Sequence, residues 1–280
     1  MQAMRWQTPG PHVCGQGWQA VCGRLMEEWR GEVVHLSWLP RAFLLKGLLT
    51  DAEADHLIEL ARAKLSTDGL PSSTTGTGAF LEIGQDEIVA AIEKRVAQVT
   101  MIPRVHQEPM LVLRHEPGQE FRSHLDTLSA DELSDATGRQ RVSTLLMYLS
   151  TPETGGETVF AKAGDGVVKP SGREWSPCAL SSAFAVKAFK GDALLIYGLR
   201  PDGTIDALSE HASCPSSSGD SWVATKHVHV APHNPAPAAP VEAGGCTDGH
   251  QQCTEWAYFD ECTKNPTFMN ASCRKACKLC

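Results

Sequence analysis

One short word in this chain carries the residue types of a metal site: His124-Leu125-Asp126, which follows a turn at Gly118 and the apolar run Met110 to His115. In extended chain, residues two apart project to the same face, so an imidazole and a carboxylate placed this way can grip one ion. A facial set of two histidines and one carboxylate needs a third ligand and leaves positions open for substrate and oxygen. His211, far along the chain in a turn-rich stretch before the last apolar run, is the best candidate for it. Alone, a His-x-Asp word is equally well explained as polar residues of a surface loop, so its context has to decide.

The elements that would position these residues can be read from periodicity. Thr50 and Glu53 suit a capping box, and Leu57, Ile58, Ala61 and Leu65 recur on one helical face. A second helix is expected after Gln85, with Ile88, Ile92, Val96 and Val99 as its apolar stripe and Pro103 as its stop. Beyond Pro103 the pattern changes to short apolar runs bounded by turn residues: Met110 to His115, Val142 to Leu149, Phe184 to Lys187, Ala193 to Tyr197 and Trp222 to Val230. Helices first and strands after predict an α+β domain with an antiparallel β-sandwich or barrel. Residues 231–245, rich in Pro and Ala and ending in Gly244-Gly245, predict a semi-extended linker.

Composition narrows the function classes. With 42% hydrophobic and 21% charged residues in 280, the chain can bury a core. A formal net charge of -8 argues against nucleic acid or an anionic membrane as the main partner, since both reward clustered Lys and Arg. No apolar run reaches the roughly 18 residues that a membrane-spanning helix needs. Of the cysteines, Cys14, Cys22, Cys178 and Cys214 are scattered, whereas Cys246, Cys253, Cys262, Cys273, Cys277 and Cys280 crowd the end. Such density means disulfides or a metal. Disulfides call for an oxidising compartment, yet residues 1–30 lack the apolar core of a signal peptide, so either the start is not the biological one or targeting uses another signal. Cys178 and Cys214 flank the second half of the expected barrel and are either a pair across it or two buried thiols.

From Trp38 to Val230 the chain resembles the prolyl 4-hydroxylase family. The matching words are Trp38-Leu39-Pro40-Arg41-Ala42-Phe43, Pro117-Gly118-Gln119, His124-Leu125-Asp126, Arg141-Val142-Ser143-Thr144, Gly155-Gly156-Glu157-Thr158-Val159-Phe160, Lys190-Gly191-Asp192-Ala193-Leu194, His211 with Cys214-Pro215, and Ala224-Thr225-Lys226 with His229-Val230. The resemblance implies a double-stranded β-helix (jelly-roll) core with supporting N-terminal helices, and iron(II) held by His124, Asp126 and His211. It implies 2-oxoglutarate as co-substrate, released as succinate and carbon dioxide, and L-ascorbate as reductant. A proline-rich or collagen-like peptide hydroxylated at the 4-position of proline is the implied substrate.

Departures from the family pattern fall around the co-substrate. Where the family places a lysine ten residues after the second histidine, just before Trp222, this chain has Ser221. A charge-assisted hydrogen bond is worth about 1.5–3 kcal/mol, so its loss weakens binding roughly ten- to a hundredfold unless something replaces it. Lys226 has the opposite strand parity and should face away. The family's tyrosine nine residues before His124 is His115, which, if protonated, would restore a charge and, if neutral, is an ordinary core histidine. Thr158 matches a co-substrate contact and is retained. On the substrate side, Arg141 and His229 match residues tied to peptide hydroxylation, but an expected tryptophan is His227 and an expected arginine is Thr74.

The last cysteines, with Trp256-Ala257, Asn265-Pro266 and Met269 between them, resemble the ShK toxin-like domain, which implies bridges Cys246–Cys280, Cys253–Cys273 and Cys262–Cys277. A module this short needs such staples, with a zinc site as the alternative. Asn270-Ala271-Ser272 forms a glycosylation sequon. The expected organisation is therefore an extension over 1–35, a dioxygenase domain over 36–230 with its jelly-roll from about 108, a linker, and a module over 246–280. The expected setting is the endoplasmic reticulum lumen or secretory pathway. Against the hydroxylase reading stand a catalytically weak or peptide-binding jelly-roll and a dioxygenase of non-prolyl substrate; oligomeric state is left open.

Overall fold

The computed structural model describes residues 29, 31–135, 139–164, 167, 169–233, 246, 248–250, 252–258 and 261–279. The chain divides into two compact units, residues 1–233 and 234–280.

In the larger unit, strands β1 (Val33–Trp38) and β2 (Arg41–Leu45) form a hairpin ahead of the first helix. The folded unit thus reaches into the region read from sequence as an extension; residues 1–28 and 30 lie outside the described residues. Helix α1 (Asp51–Arg62) starts at the expected capping box, with Thr50 Oγ1 accepting from the Glu53 amide and Glu53 accepting from the Thr50 amide. Helix α2 (Glu87–Thr100) follows β3 (Thr77–Leu81) and is capped by the Asp86 carboxylate accepting from Val89 N at 2.8 Å. Its buried stripe runs through Val89, Ile92 and Val96, so the deepest contact is one residue later than the Ile88 that spacing suggested. The helix ends at Met101, which takes up a left-handed conformation, before Pro103 can act as its stop.

Strands β4 (Met110–His115), β5 (Phe121–His124), β6 (Arg141–Tyr148), β7 (Thr158–Phe160), β8 (Phe184–Val186), β9 (Ala193–Tyr197), β10 (His211–Ser213) and β11 (Ser221–His229) complete the unit, with short helices α3 (Ala130–Asp135) and α4 (Pro177–Leu180) between them. They make two antiparallel sheets, β1-β2-β9-β6-β11-β4-β3 and β5-β10-β7-β8, in the α+β jelly-roll arrangement with supporting helices. Period-2 alternation sorts the strand residues. On β6, Leu145 and Met147 join α1 and α2 in one core, while Leu146 and Tyr148 face a second core with Phe160, Phe184 and Ile196. On β11, Trp222, Ala224 and Val228 take the helix side, leaving Ser221, Val223, Thr225 and His227 on the face toward the smaller sheet. Lys226, on the helix side, is fully buried and bonded to Glu93 at 2.7 Å, so it does face away from Ser221.

Cys178 and Cys214 form a disulfide, packed with Val159, Ala179 and Ala185. In the smaller unit, helices α5 (Cys253–Tyr258), α6 (Glu261–Lys264) and α7 (Pro266–Ser272) surround a core of Cys253, Met269 and Cys273. Cys253 is bridged to Cys273 and Cys262 to Cys277. The third implied bridge, Cys246–Cys280, involves Cys280, which lies outside the described residues, as do residues 234–245. No helix among the described residues is long and apolar enough to cross a membrane.

Candidate metal centre and its cavity

His124 and His211 are brought together by strand register. They end up directly opposite each other on the antiparallel pair β5 and β10. Asp126 lies just beyond the end of β5, with its Oδ1 3.4 Å from His124 Nε2 and its Oδ2 3.6 Å from His211 Nε2. The three offered atoms all fall within 4.8 Å of one another, a grouping able to hold one cation. Each histidine is turned by its other nitrogen. His124 Nδ1 donates to the Arg122 carbonyl at 2.8 Å, and His211 Nδ1 donates to the Ser209 carbonyl at 2.9 Å. That turns both Nε2 atoms inward toward Asp126, the orientation that outer hydrogen bonds impose on ligating histidines. Phe121 stacks on His124 at 4.0 Å between ring centres and fixes its plane.

Charge at this cluster favours a cation. Burial opposes ionisation of Asp126, but the neighbouring His211 and the hydrogen bond from His124 outweigh it and keep the carboxyl well below the ordinary range. Burial lowers the pKa of His211, favouring the neutral ring that ligates. Two imidazoles and one carboxylate match the donor set of an iron(II) centre that keeps coordination positions open.

The cluster sits in the wall of a cavity of about 400 Å³. Its rim includes exposed Pro71, Leu125 and Glu132; its floor includes buried Leu111, Leu113, His115 and Thr225. On the wall beside Asp126, Arg141 holds Glu108 with two bonds, 2.5 and 2.8 Å, and also donates to the Asp126 carbonyl at 3.2 Å. His229 Nε2 completes this group with a bond to Glu108 at 2.6 Å. Burial raises the Glu108 pKa, but the hydrogen bonds from His229 and Arg141 more than reverse this and hold the carboxyl far below its usual range. Glu108 therefore joins the two residues singled out from sequence, although the sequence reading gave it no role. His227 lines the same cavity with Nδ1 bonded to Thr144 Oγ1 at 3.0 Å.

At the enclosed end, His115 and Ser221 are register partners on β4 and β11, both buried. Nearby, Thr158 Oγ1 and the Tyr148 hydroxyl are bonded at 2.9 Å, and Tyr148 is the register partner of Val223. The Gly155-Gly156 turn that leads into Thr158 has both residues at positive φ, and a side chain at Gly155 would collide with the Pro215 carbonyl. Of the two readings of His115, the geometry favours the neutral one. Burial pushes His115 down to about 4, and its Nε2 shares a 2.8 Å hydrogen bond with Thr74 Oγ1, so the ring is neutral at pH 7 and supplies no charge. Thr74, noted in the sequence only as a missing arginine, is that ring's partner.

Comparison with known proteins agrees with this geometry. The model of the 2OG-Fe(II) oxygenase superfamily matches residues 110–229, and that of the ShK domain-like family matches residues 245–280. Probable prolyl 4-hydroxylase 7 of Arabidopsis thaliana is 39% identical over 264 residues, covering 89% of this chain and 82% of that protein. Prolyl 4-hydroxylase 2 of the same plant is 36% identical, covering 89% and 88%. Among solved structures, the viral collagen prolyl hydroxylase from Paramecium Bursaria Chlorella virus-1, in its 2OG complex, shares the fold with a TM-score of 0.52 at 24% identity, over 68% of this chain and 96% of that one. Over most of its length, then, this chain belongs to the prolyl 4-hydroxylases, iron(II)- and 2-oxoglutarate-dependent dioxygenases, and carries an ShK domain at its C-terminus.

Proposed function

We propose that this enzyme hydroxylates peptidyl proline at the 4-position in proline-rich or collagen-like proteins of the secretory pathway, with His124, Asp126 and His211 as its iron ligands. The observation that carries the reading is the placement of this triad in the wall of an open cavity, beside the Arg141–Glu108–His229 group. When bound, iron(II) and 2-oxoglutarate supply the oxidising power: oxygen and 2-oxoglutarate are consumed, and succinate, carbon dioxide and a hydroxyl on the target carbon result. The chain's own part is geometric. The carbonyls of Arg122 and Ser209 hold the two imidazoles with Nε2 inward. Arg141 ties the Asp126 backbone to Glu108 and His229, so a peptide laid on that wall meets a fixed surface, and fixed placement of the target carbon is worth far more than affinity alone.

Thr158, Ser221 and His115 face the co-substrate in this reading, and L-ascorbate serves as the reductant. The disulfides at Cys178–Cys214, Cys253–Cys273 and Cys262–Cys277 support an oxidising setting such as the endoplasmic reticulum lumen. Product analysis tests the proposal: after incubation with iron(II), ascorbate, 2-oxoglutarate and a polyproline peptide, 4-hydroxyproline should appear in the hydrolysed peptide in step with succinate. Succinate without hydroxyproline, or hydroxylation at another residue, would contradict the assigned substrate.

A further inference from the structure

The cavity's charges do not balance its co-substrate. 2-Oxoglutarate is a dianion: its keto acid end chelates a metal, and its distal carboxylate projects a chain length away. Among the described residues lining the cavity there is no lysine, and Arg141 is the one guanidinium. Arg141 is already committed, with Glu108 taking two of its bonds. The remaining lining charges, Asp126, Glu108 and Glu132, are carboxylates. At the enclosed end the lining is Leu113, Val223, Ser213 and a neutral His115. Ser221 stands opposite His115, is 6% exposed, and shares its strand face with the cavity-lining Val223, Thr225 and His227. Its side chain offers a neutral hydroxyl and no charge.

We infer that the distal carboxylate of 2-oxoglutarate is received at this end by neutral donors alone, with Ser221 Oγ foremost, and that the enzyme therefore discriminates weakly against 2-oxo acids that lack it. The inference rests on the triad being the metal site. Its physical basis is that a carboxylate moved from water to an enclosed site without a cation loses much of what its hydrogen bonds return, whereas an unbranched apolar tail meets Leu113 and Val223 at no such loss.

The test compares equilibrium binding of 2-oxoglutarate and 2-oxopentanoate, which has the same chain length without the distal carboxylate, to the full chain loaded with manganese(II) and kept free of oxygen. The two acids should bind within about tenfold of each other. Ser221→Lys should tighten 2-oxoglutarate about ten- to a hundredfold, the difference between a neutral and a charge-assisted bond, without tightening 2-oxopentanoate. A preference of the unaltered protein for 2-oxoglutarate beyond about a hundredfold would overturn the inference, as would a Ser221→Lys protein with an unchanged melt and an unchanged ratio. Should Ser221→Lys not fold, Ser221→Ala decides: it should weaken 2-oxoglutarate severalfold and leave 2-oxopentanoate alone, and equal effects on both would count against Ser221. Manganese uptake, measured first with His124→Ala as control, separates the two levels. Absence of His124-dependent uptake overturns the metal-site reading and this inference together; uptake without binding of either acid overturns this inference alone.

Discussion

The two ends of the cavity are built on different principles. Around the metal cluster each polar group has a partner that aims it: His124 and His211 through backbone carbonyls, Glu108 through Arg141 and His229, and Asp126 through the two imidazoles. At the enclosed end, His115 and Ser221 are register partners, His115 shares a hydrogen bond with Thr74 Oγ1, and neither side chain carries a formal charge at pH 7. The first end is rigid before any ligand arrives. The second presents a neutral ring and a hydroxyl. A site can thus keep its metal geometry intact while its selectivity for co-substrate is free to drift, because the two depend on separate side chains.

That contrast breaks most severely at Glu108. Glu108→Gln leaves the Arg141 guanidinium without a carboxylate in a largely buried group and should cost about 3–5 kcal/mol of stability, the range for a buried pair that loses one partner. Urea unfolding of the larger unit reads this directly, and a loss below about 1 kcal/mol would mean that the wall beside Asp126 is no more rigid than the enclosed end.

A smaller effect sharpens the other side. His115 is held near 4 in the folded protein against about 6.5 unfolded, so the folded state binds fewer protons between those values. Its contribution is fully present above pH 6.5 and is lost as the pH falls toward 4. Between pH 7 and pH 4.5 the protein should therefore lose about 2–3 kcal/mol more than a His115→Gln variant, in which no proton is taken up at that position. Parallel pH profiles for the two proteins would show that His115 is not held neutral.

How much of this was readable in the chain follows from distance along it. His124 and Asp126 share a local word, and Met110 to His115 and Ala193 to Tyr197 appear as strands because the period-2 signal lies within a few residues. His211 stood out by its place in a turn-rich stretch before the last apolar run, and the family resemblance then implied it as the third ligand. Glu108 stayed silent: its partners lie 33 and 121 residues away, and a lone glutamate between Gln107 and Pro109 looks like any loop residue. The same holds for Thr74, whose bond to His115 spans 41 positions. Strands β7 and β10 were missed because each has three residues and neither is apolar throughout, unlike the equally short β8. For His115 the sequence left a charged and a neutral reading open, and what separates them is burial, a property of the assembled barrel that strand-level reading cannot weigh against charge.

Succinate release is the most direct measure of the central claim that His124, Asp126 and His211 form a working iron centre opening onto a peptide-binding cavity. With purified full chain, iron(II), ascorbate and millimolar 2-oxoglutarate, release should rise on addition of a polyproline peptide and fall by at least about a thousandfold in His124→Ala, since loss of one of three ligands removes the metal. Folded, iron-loaded protein that releases no succinate with any proline-rich peptide, or equal release by His124→Ala, would contradict it.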